Sequence, residues 1–265
     1  SPNIVLPDPW DNGNNPVFGY RNLVTTSNIT VSSEDADFPG MNLANPATDL
    51  LWKASSAASQ TITINTTGLG PIDYVGIARH NFSDAAITVS IKENVGSGLV
   101  DVPYTTVLPG DNHAMMFRLD RSARTQVQIV LSAGDAVPSV GVVYVGQLMV
   151  SQRRVYVGHT PISMGLSVRD VVGLSEEGDY LGRIILSESR STQFAIQNIT
   201  PSFYRTHFVP FVNAVSLTTP CFFAWRPRDY PDEVGYGWFR STPRPVNQRT
   251  NGMMSVTLEF GAISQ

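Results

Sequence analysis

Charge is scarce in this chain. Asp, Glu, Lys and Arg make up 15 % of its 265 residues, against roughly a quarter in an ordinary globular protein. The formal net charge of −4 provides no basic field, so nucleic acid is excluded as an expected partner. Cysteine is limited to Cys221, which rules out an internal disulfide and a thiolate metal cluster. Its place in the apolar run from Pro220 to Trp225 reads as a small buried hydrophobe. No apolar run approaches the 18 or so residues of a membrane-spanning helix, so membrane insertion is not expected. The first residues, SPNIVLPDPWDNGNN, lack the basic start and apolar core of a secretory signal, and the expectation is synthesis in a cytoplasm without export.

Catalytic signatures are missing too. There is no Gly-x-Ser-x-Gly elbow and no Walker or Rossmann glycine pattern. His80, His113, His159 and His207 lie far apart, in no metal-binding spacing. Asp84, Asp101, Asp111, Asp120 and Asp135 fall in turns between strands, where Asp serves the backbone, and not as the facing carboxylate pair a glycosidase needs. The sequence therefore predicts no catalytic residue, no metal, no cofactor and no enzyme.

What the chain has in place of charge is Thr, Ser, Asn, Val and Gly, which favour strands and turns. From Leu23 onward short alternating runs recur: 29–32, 61–65, 74–79, 86–93, 113–119, 126–132 and 141–150. Each is bounded by Gly, Pro, Asn or Asp, as in an antiparallel sandwich. The last run is almost continuously apolar, the mark of a strand covered on both faces. Ser151-Gln152-Arg153-Arg154 is a polar break. Beyond it lie candidate strands at 155–157, 162–168, 180–187 and 192–197, an acidic turn at 176–179, a short helix opening at Pro201 and cut or kinked by Pro210, and a closing strand at 253–260. The fold class is thus all-β, a sandwich followed by a second β-rich domain with at most short helices. The expected domains are an extended arm (1–22), the sandwich (23–150) and the second domain (151–265), with 23–150 folding alone.

Residues 1–22 hold four prolines and two large aromatics, Trp10 and Phe18, without periodicity. Such a segment has no core of its own, so the two rings are expected to anchor on a neighbouring subunit, and deletion to leave a folded protein impaired in assembly. Trp225, Arg226, Arg228 and Tyr230 mix guanidinium and aromatic groups in a Pro-rich acidic loop. That mixture fits an interface equally with a loop packed on itself through Arg–Asp pairs. For a glycan, the candidates are Trp52 and the loop residues Arg79, His80 and Asn81, a polar fork beside Phe82.

Two resemblances organise these readings. Met41-Asn42-Leu43-Ala44, followed by Asp49, Trp52 and the strand Gln60-Thr61-Ile62-Thr63-Ile64, resembles a discoidin-like, or galactose-binding-like, jelly roll. The C-terminal half resembles tail-tip and baseplate proteins of tailed bacteriophages. The residues that carry this are Gly173-Leu174-Ser175-Glu176-Glu177-Gly178-Asp179, Phe222-Phe223-Ala224-Trp225-Arg226-Pro227, Tyr230-Pro231-Asp232-Glu233-Val234-Gly235-Tyr236-Gly237 and Asn251-Gly252-Met253-Met254-Ser255-Val256. This second resemblance implies a virion structural protein made in the bacterial cytoplasm. It also implies a homo-oligomeric ring, three- or six-fold, with other tail and baseplate proteins as partners. The alternative is a carbohydrate-binding module for host surface glycans.

Overall fold

The computed structural model describes residues 2–7, 13–155, 158–215, 219–248 and 252–264. Its strands through the first half are β1 (Ile4–Val5), β2 (Val17–Gly19), β3 (Ile29–Val31), β4 (Trp52–Lys53), β5 (Gln60–Asn65), β6 (Pro71–His80), β7 (Val89–Asn94), β8 (Leu99–Asp101), β9 (Met115–Ala123), β10 (Gln126–Leu131) and β11 (Ser139–Gly146). The second half adds β12 (Leu148–Val150), β13 (Leu166–Leu174), β14 (Tyr180–Ile199), β15 (Cys221–Ala224), β16 (Val234–Phe239), β17 (Pro245–Asn247) and β18 (Met254–Ile263). The fold is mainly β, as expected.

Two five-stranded sheets, β3-β5-β10-β7-β8 and β1-β9-β6-β11-β4, face each other as the discoidin-like sandwich. In the first sheet β5 and β10 pair antiparallel, Ile62 opposite Ile129 and Ile64 opposite Val127. Their buried residues alternate strictly, because one face meets the core and the other meets water. In the second sheet β6 and β11 are buried almost without interruption. The reason is a third sheet, β12-β2-β15-β16-β18-β14-β13, stacked on the outer face of the second, with β17 on β18.

Val75, Ile77, Val143 and Val145 therefore point into the sandwich core, while Tyr74, Ala78, Val142 and Tyr144 join Phe222, Ala224 and Tyr236 in a core shared with the third sheet. Glycine sets the approach of these two layers. A Cβ on Gly76 would stand 2.6 Å from the Phe222 ring, and one on Gly19 would stand 2.6 Å from the Tyr74 ring. Each tyrosine of this shared core finds a carbonyl for its hydroxyl: Tyr74 donates to Arg21 (2.7 Å), Tyr144 to Pro220 (3.2 Å) and Tyr236 to Pro46 (2.7 Å).

On its far side the third sheet is covered by a helical segment, α1 (Pro201–Phe203), a π-turn over Tyr204–Phe208 and α2 (Val209–Val215). Pro201 takes its first turn, as the sequence predicts, and the Thr200 side chain caps it. Pro210 does not cut it. The Val209 N–H reaches back to the Tyr204 carbonyl in the wider π spacing, and such a local readjustment lets a helix carry the proline's missing donor. Tyr204, Phe208, Phe211 and Val215 then pack on Phe18, Phe223, Leu258 and Phe260.

The division into arm, sandwich and second domain needs correction. Residues 1–22 are not a free arm: β1 pairs in parallel with β9, Ile4 opposite Met116, and β2 is inserted between β12 and β15 in the third sheet. Phe18 has no exposed surface and is a core residue of its own chain. Trp10 lies outside the described residues. The apolar run 141–150 serves two sheets, since β11 ends in the second at Gly146 and β12 begins in the third at Leu148. Residues 23–150 alone would thus uncover Tyr74, Met116, Val142 and Tyr144, all buried in the shared core. Expressed by themselves, they are expected to aggregate and to show no cooperative melt. A soluble, cooperatively melting product would show that the sandwich does not need its third layer.

Candidate functional site

β13 and β14 form the feature that the cores leave unexplained. β14 runs for 20 residues. Its C-terminal half, from Ser189, pairs with β18 and sends Phe194, Ile196 and Ile199 into the core. Its N-terminal half pairs with β13 alone, from Leu174 opposite Tyr180 down to Leu166 opposite Arg190. The hairpin therefore projects beyond the sheet. Its turn is closed by Ser175 and Asp179, whose backbone N–H and C=O meet at 2.9 Å, with Gly178 in the left-handed region at φ 89°.

The sides of this hairpin are apolar and bare. Leu181 is 69 % exposed, Ile184 67 %, Tyr180 65 % and Leu174 61 %; Leu166, Val171, Val172, Ile185 and Leu186 are exposed as well. Cross-strand register puts Val171 opposite Ile184 on one face, and Ile185 opposite Asp170, with Tyr180 opposite Leu174, on the other. Both faces are thus apolar. Two register shifts, at Arg169/Asp170 and Gly173/Leu174, leave Leu186 and Leu181 as extra residues on β14, and bulges of this kind re-aim side chains. One ion pair, Arg183 to Asp170 at 2.5 Å, crosses the ladder. β13 is the last strand of its sheet, so its outer edge offers unpaired backbone groups. The exposed area of these nine residues is roughly 1,000 Å², above the about 800 Å² per partner that a standard protein interface buries. The sequence reading placed strands here and missed this surface. Its signal was the pairing of Val171-Val172 with Ile184-Ile185-Leu186, apolar at consecutive positions within a segment that no other described residues cover.

The residues singled out from sequence fall elsewhere. Trp52 is fully buried and donates its indole N–H to the Ser33 carbonyl at 3.1 Å, so it offers no ring face to a sugar. His80 is buried, stacked on Phe82 at 4.4 Å and hydrogen-bonded to the His113 carbonyl at 2.8 Å. Asn81 pins its loop, donating to the Val137 carbonyl and accepting from the Ser139 N–H, both at 2.9 Å. Of the four glycan candidates only Arg79 is exposed, held at a left-handed φ of 58°. They share one end of the sandwich without forming a ligand cradle.

The 225–233 loop packs on itself and on its own N-terminal segment. Trp225 stacks on Tyr230 at 5.3 Å, the Arg226 guanidinium lies 5.5 Å from both rings, and Arg226 pairs with Asp229 at 2.6 Å. The Arg228 N–H bonds the Gly13 carbonyl at 2.8 Å, and Asn14 donates to Asp229 at 2.8 Å. These contacts select the self-packed reading for Trp225, Arg226 and Arg228, with Tyr230 left partly exposed on the outside of the stack. Cys221 is fully buried, and burial pushes its thiol well above the ordinary range, which leaves it inert.

Burial also tunes His80. Removal from water, opposed by the His113 carbonyl and by Asp111, lowers its pKa from 6.5 to about 4. The folded state keeps the imidazole neutral, whereas the unfolded chain takes up a proton below its ordinary value. The contribution of His80 is therefore complete above pH 6.5 and is lost as pH falls toward 4, at most roughly 3.5 kcal/mol at about 1.4 kcal/mol per unit. Asp111 acts lower. Its burial favours the neutral acid, but hydrogen bonds from His113 and Asn3 outweigh this and bring it from 3.8 to about 2. The melting temperature is expected to drop between pH 6.5 and 4, and a neutral Gln in His80→Gln to flatten that drop. An unchanged slope in the variant would assign it to other groups.

No protein-family model matches the chain, and no curated protein matches it in sequence. Solved structures similar to it include chitosan-binding module 1 of a chitosanase/glucanase from Paenibacillus sp. IK-5, with 16 % identity over 48 % of this chain and 100 % of that one, at a TM-score of 0.41. A second is the family 32 carbohydrate-binding module of C. perfringens NanJ in complex with galactose, with 15 % identity over 50 % of this chain and 99 % of that one, at 0.40. A third is the family 32 module of AlyQ in complex with 4,5-unsaturated mannuronic acid, with 19 % identity over 48 % and 96 %, at 0.37. The sandwich itself is established by its strand order, independently of these likenesses.

Proposed function

We propose that this chain is a structural assembly protein whose copies join through the β13–β14 hairpin, and that the assembly is a ring in the tail tip or baseplate of a tailed bacteriophage. The observation that carries self-association is the bare apolar surface on both faces of the hairpin, far more than a monomer keeps in water. The occupant is a second copy and not a lipid surface, because the tip that would enter first carries Glu176, Glu177 and Asp179, all exposed, and acidic groups are costly in hydrocarbon. A hairpin on one edge that docks on a different face of the next copy is a heterologous contact, and such contacts close into rings when the rotation permits. The three stacked layers supply the rigidity, and no catalysis is assigned. The phage setting rests on the sequence resemblance, and with it the bacterial cytoplasm as the place of synthesis and other tail proteins as partners.

Light scattering on the purified chain, with negative-stain images of the same sample, tests this. A single mass at a small multiple of the subunit, three or six, with annular particles is expected. A monomer at every soluble concentration would sink the reading.

A second reading, glycan binding by the sandwich, is favoured by an open groove of about 490 Å³ beside edge strand β3, lined by Thr26, Thr30, Ser32, Ser33, Glu34 and Met41. It predicts saturable glycan binding by a protein that need not self-associate, lost when Thr30 and Glu34 are replaced by alanine.

A further inference from the structure

On the third sheet, beside the base of the hairpin at Ser191, lies a groove of about 740 Å³, within the range of small-ligand pockets. Its lining is Gly158, His159, Thr160, the Ser191–Gln193 stretch of β14, Arg240 and Glu259. Among the described residues its lining has no aliphatic or aromatic ring or chain beyond the imidazole and the threonine methyls. Such a surface has nothing to hold an apolar molecule or an amphipathic helix, and much to hold a ligand made of hydroxyls.

The polar groups are distributed for that task. Arg240 is anchored by its backbone, the N–H bonding the Glu259 carbonyl at 2.8 Å, while its guanidinium has no hydrogen-bond or ion-pair partner among the described residues. Glu259 accepts from the Gln193 amide at 3.2 Å through Oε1, which fixes the carboxylate and leaves further lone pairs open. The Nε2 atom of His159 is buried without a hydrogen-bond partner, and the ring is set by edge contacts to Trp225 at 4.4 Å and Phe194 at 6.2 Å. Burial keeps this imidazole below its ordinary pKa, so near neutral pH it is an uncharged donor or acceptor. Thr192 donates its hydroxyl to the Thr160 carbonyl at 2.6 Å and so ties the two walls together.

Charge decides the ligand class. Among the described residues the groove carries one guanidinium and one carboxylate, which balance. A phosphate or uronate would meet Glu259, and an amine would meet Arg240. Neighbouring hydroxyls on a sugar ring both donate and accept, so a carboxylate accepts hydrogen bonds from two of them while a guanidinium donates to their oxygens. We infer that this groove binds a short neutral saccharide, held between Arg240 and Glu259. The inference is independent of self-association and places the sugar away from the sandwich groove and from Arg79.

The test is titration of the full chain, followed by ligand-observed NMR, with lactose, cellotetraose and chitotetraose as neutral probes, tetragalacturonic acid as an acidic one, and inorganic phosphate. Saturable binding of at least one neutral probe is expected, weakened tenfold or more in Arg240→Met and in Glu259→Gln. Both variants should keep the wild-type melting temperature, because both side chains lie at the surface. Arg79→Gln and the sandwich-groove variants should bind as the wild type does. No saturable binding by any neutral probe up to about 10 mM, a dissociation constant too weak to be specific, would overturn the inference. So would binding that ignores the Arg240 and Glu259 substitutions, or preference for the uronate or phosphate. The oligomeric mass is read separately, so failure here and failure of the assembly reading are distinguishable.

Discussion

Replacing Ile184 and Ile185 together with lysine is expected to turn the assembled protein into monomers that melt at the wild-type temperature. The two side chains lie opposite Val171 and Asp170, one on each face of the hairpin, and are 67 % and 53 % exposed within the subunit. Their loss therefore removes little from the monomer, and surface changes of this kind stay within about 0.5 kcal/mol. In an interface each would be buried, at roughly 1.5–3 kcal/mol per side chain. Losing about 3 kcal/mol or more per contact weakens it at least a hundredfold. The introduced ammonium groups must also be desolvated, which adds to the loss. A ring repeats this contact in every copy, so closure fails as a whole. Thr257→Lys, at an exposed position of β18, is the control and should leave the mass unchanged. If the double variant keeps the wild-type mass, the hairpin is not the joining surface.

That hairpin shows where sequence reading stops. Consecutive apolar residues such as Ile184-Ile185-Leu186 give the same pattern whether both faces of a strand are covered by the chain's own layers or await another subunit. β11 is the first case and β14 near its turn is the second. The sandwich was legible because β5 and β10 have one wet face, and alternation records it. The helix start was legible from Pro201, but its passage through Pro210 depends on a π-turn that no local pattern announces. The 225–233 loop looked the same as an interface or as a closed loop, because stacking of Trp225 on Tyr230 and pairing of Arg226 with Asp229 use the residue types that build interfaces. The groove of His159, Arg240 and Glu259 was invisible, since its walls come from four separate stretches that only the folded chain brings together.

The N-terminal segment is the largest departure, and it leads to the second strong expectation: a chain beginning at Asn22 should not fold. β1 and β2 have two and three residues, too short for periodicity to show, and their partners are supplied from far along the chain. Phe18 lies opposite Phe223 and Met149 in neighbouring strands. Its ring is 4.8 Å from Phe211 and 5.1 Å from Phe223, at the centre of the core under the helix. Removing β2 strips both β12 and β15 of a strand and opens that core to water. Phe18→Ala alone should cost about 3–5 kcal/mol, a large part of the about 5–15 kcal/mol that holds a domain together. Deletion also breaks the bonds of Asn3 and Ile4 to the Pro231 carbonyl, at 3.0 and 2.9 Å, and of Asn15 to the Ser151 carbonyl, at 2.8 Å. The shortened chain should be recovered as aggregate without a cooperative melt, and a synthetic peptide of residues 1–22 added during refolding should restore soluble protein. A shortened chain that stays folded and soluble but no longer assembles would return the segment to a role between subunits, where Phe18 would have to leave its core to reach a neighbour.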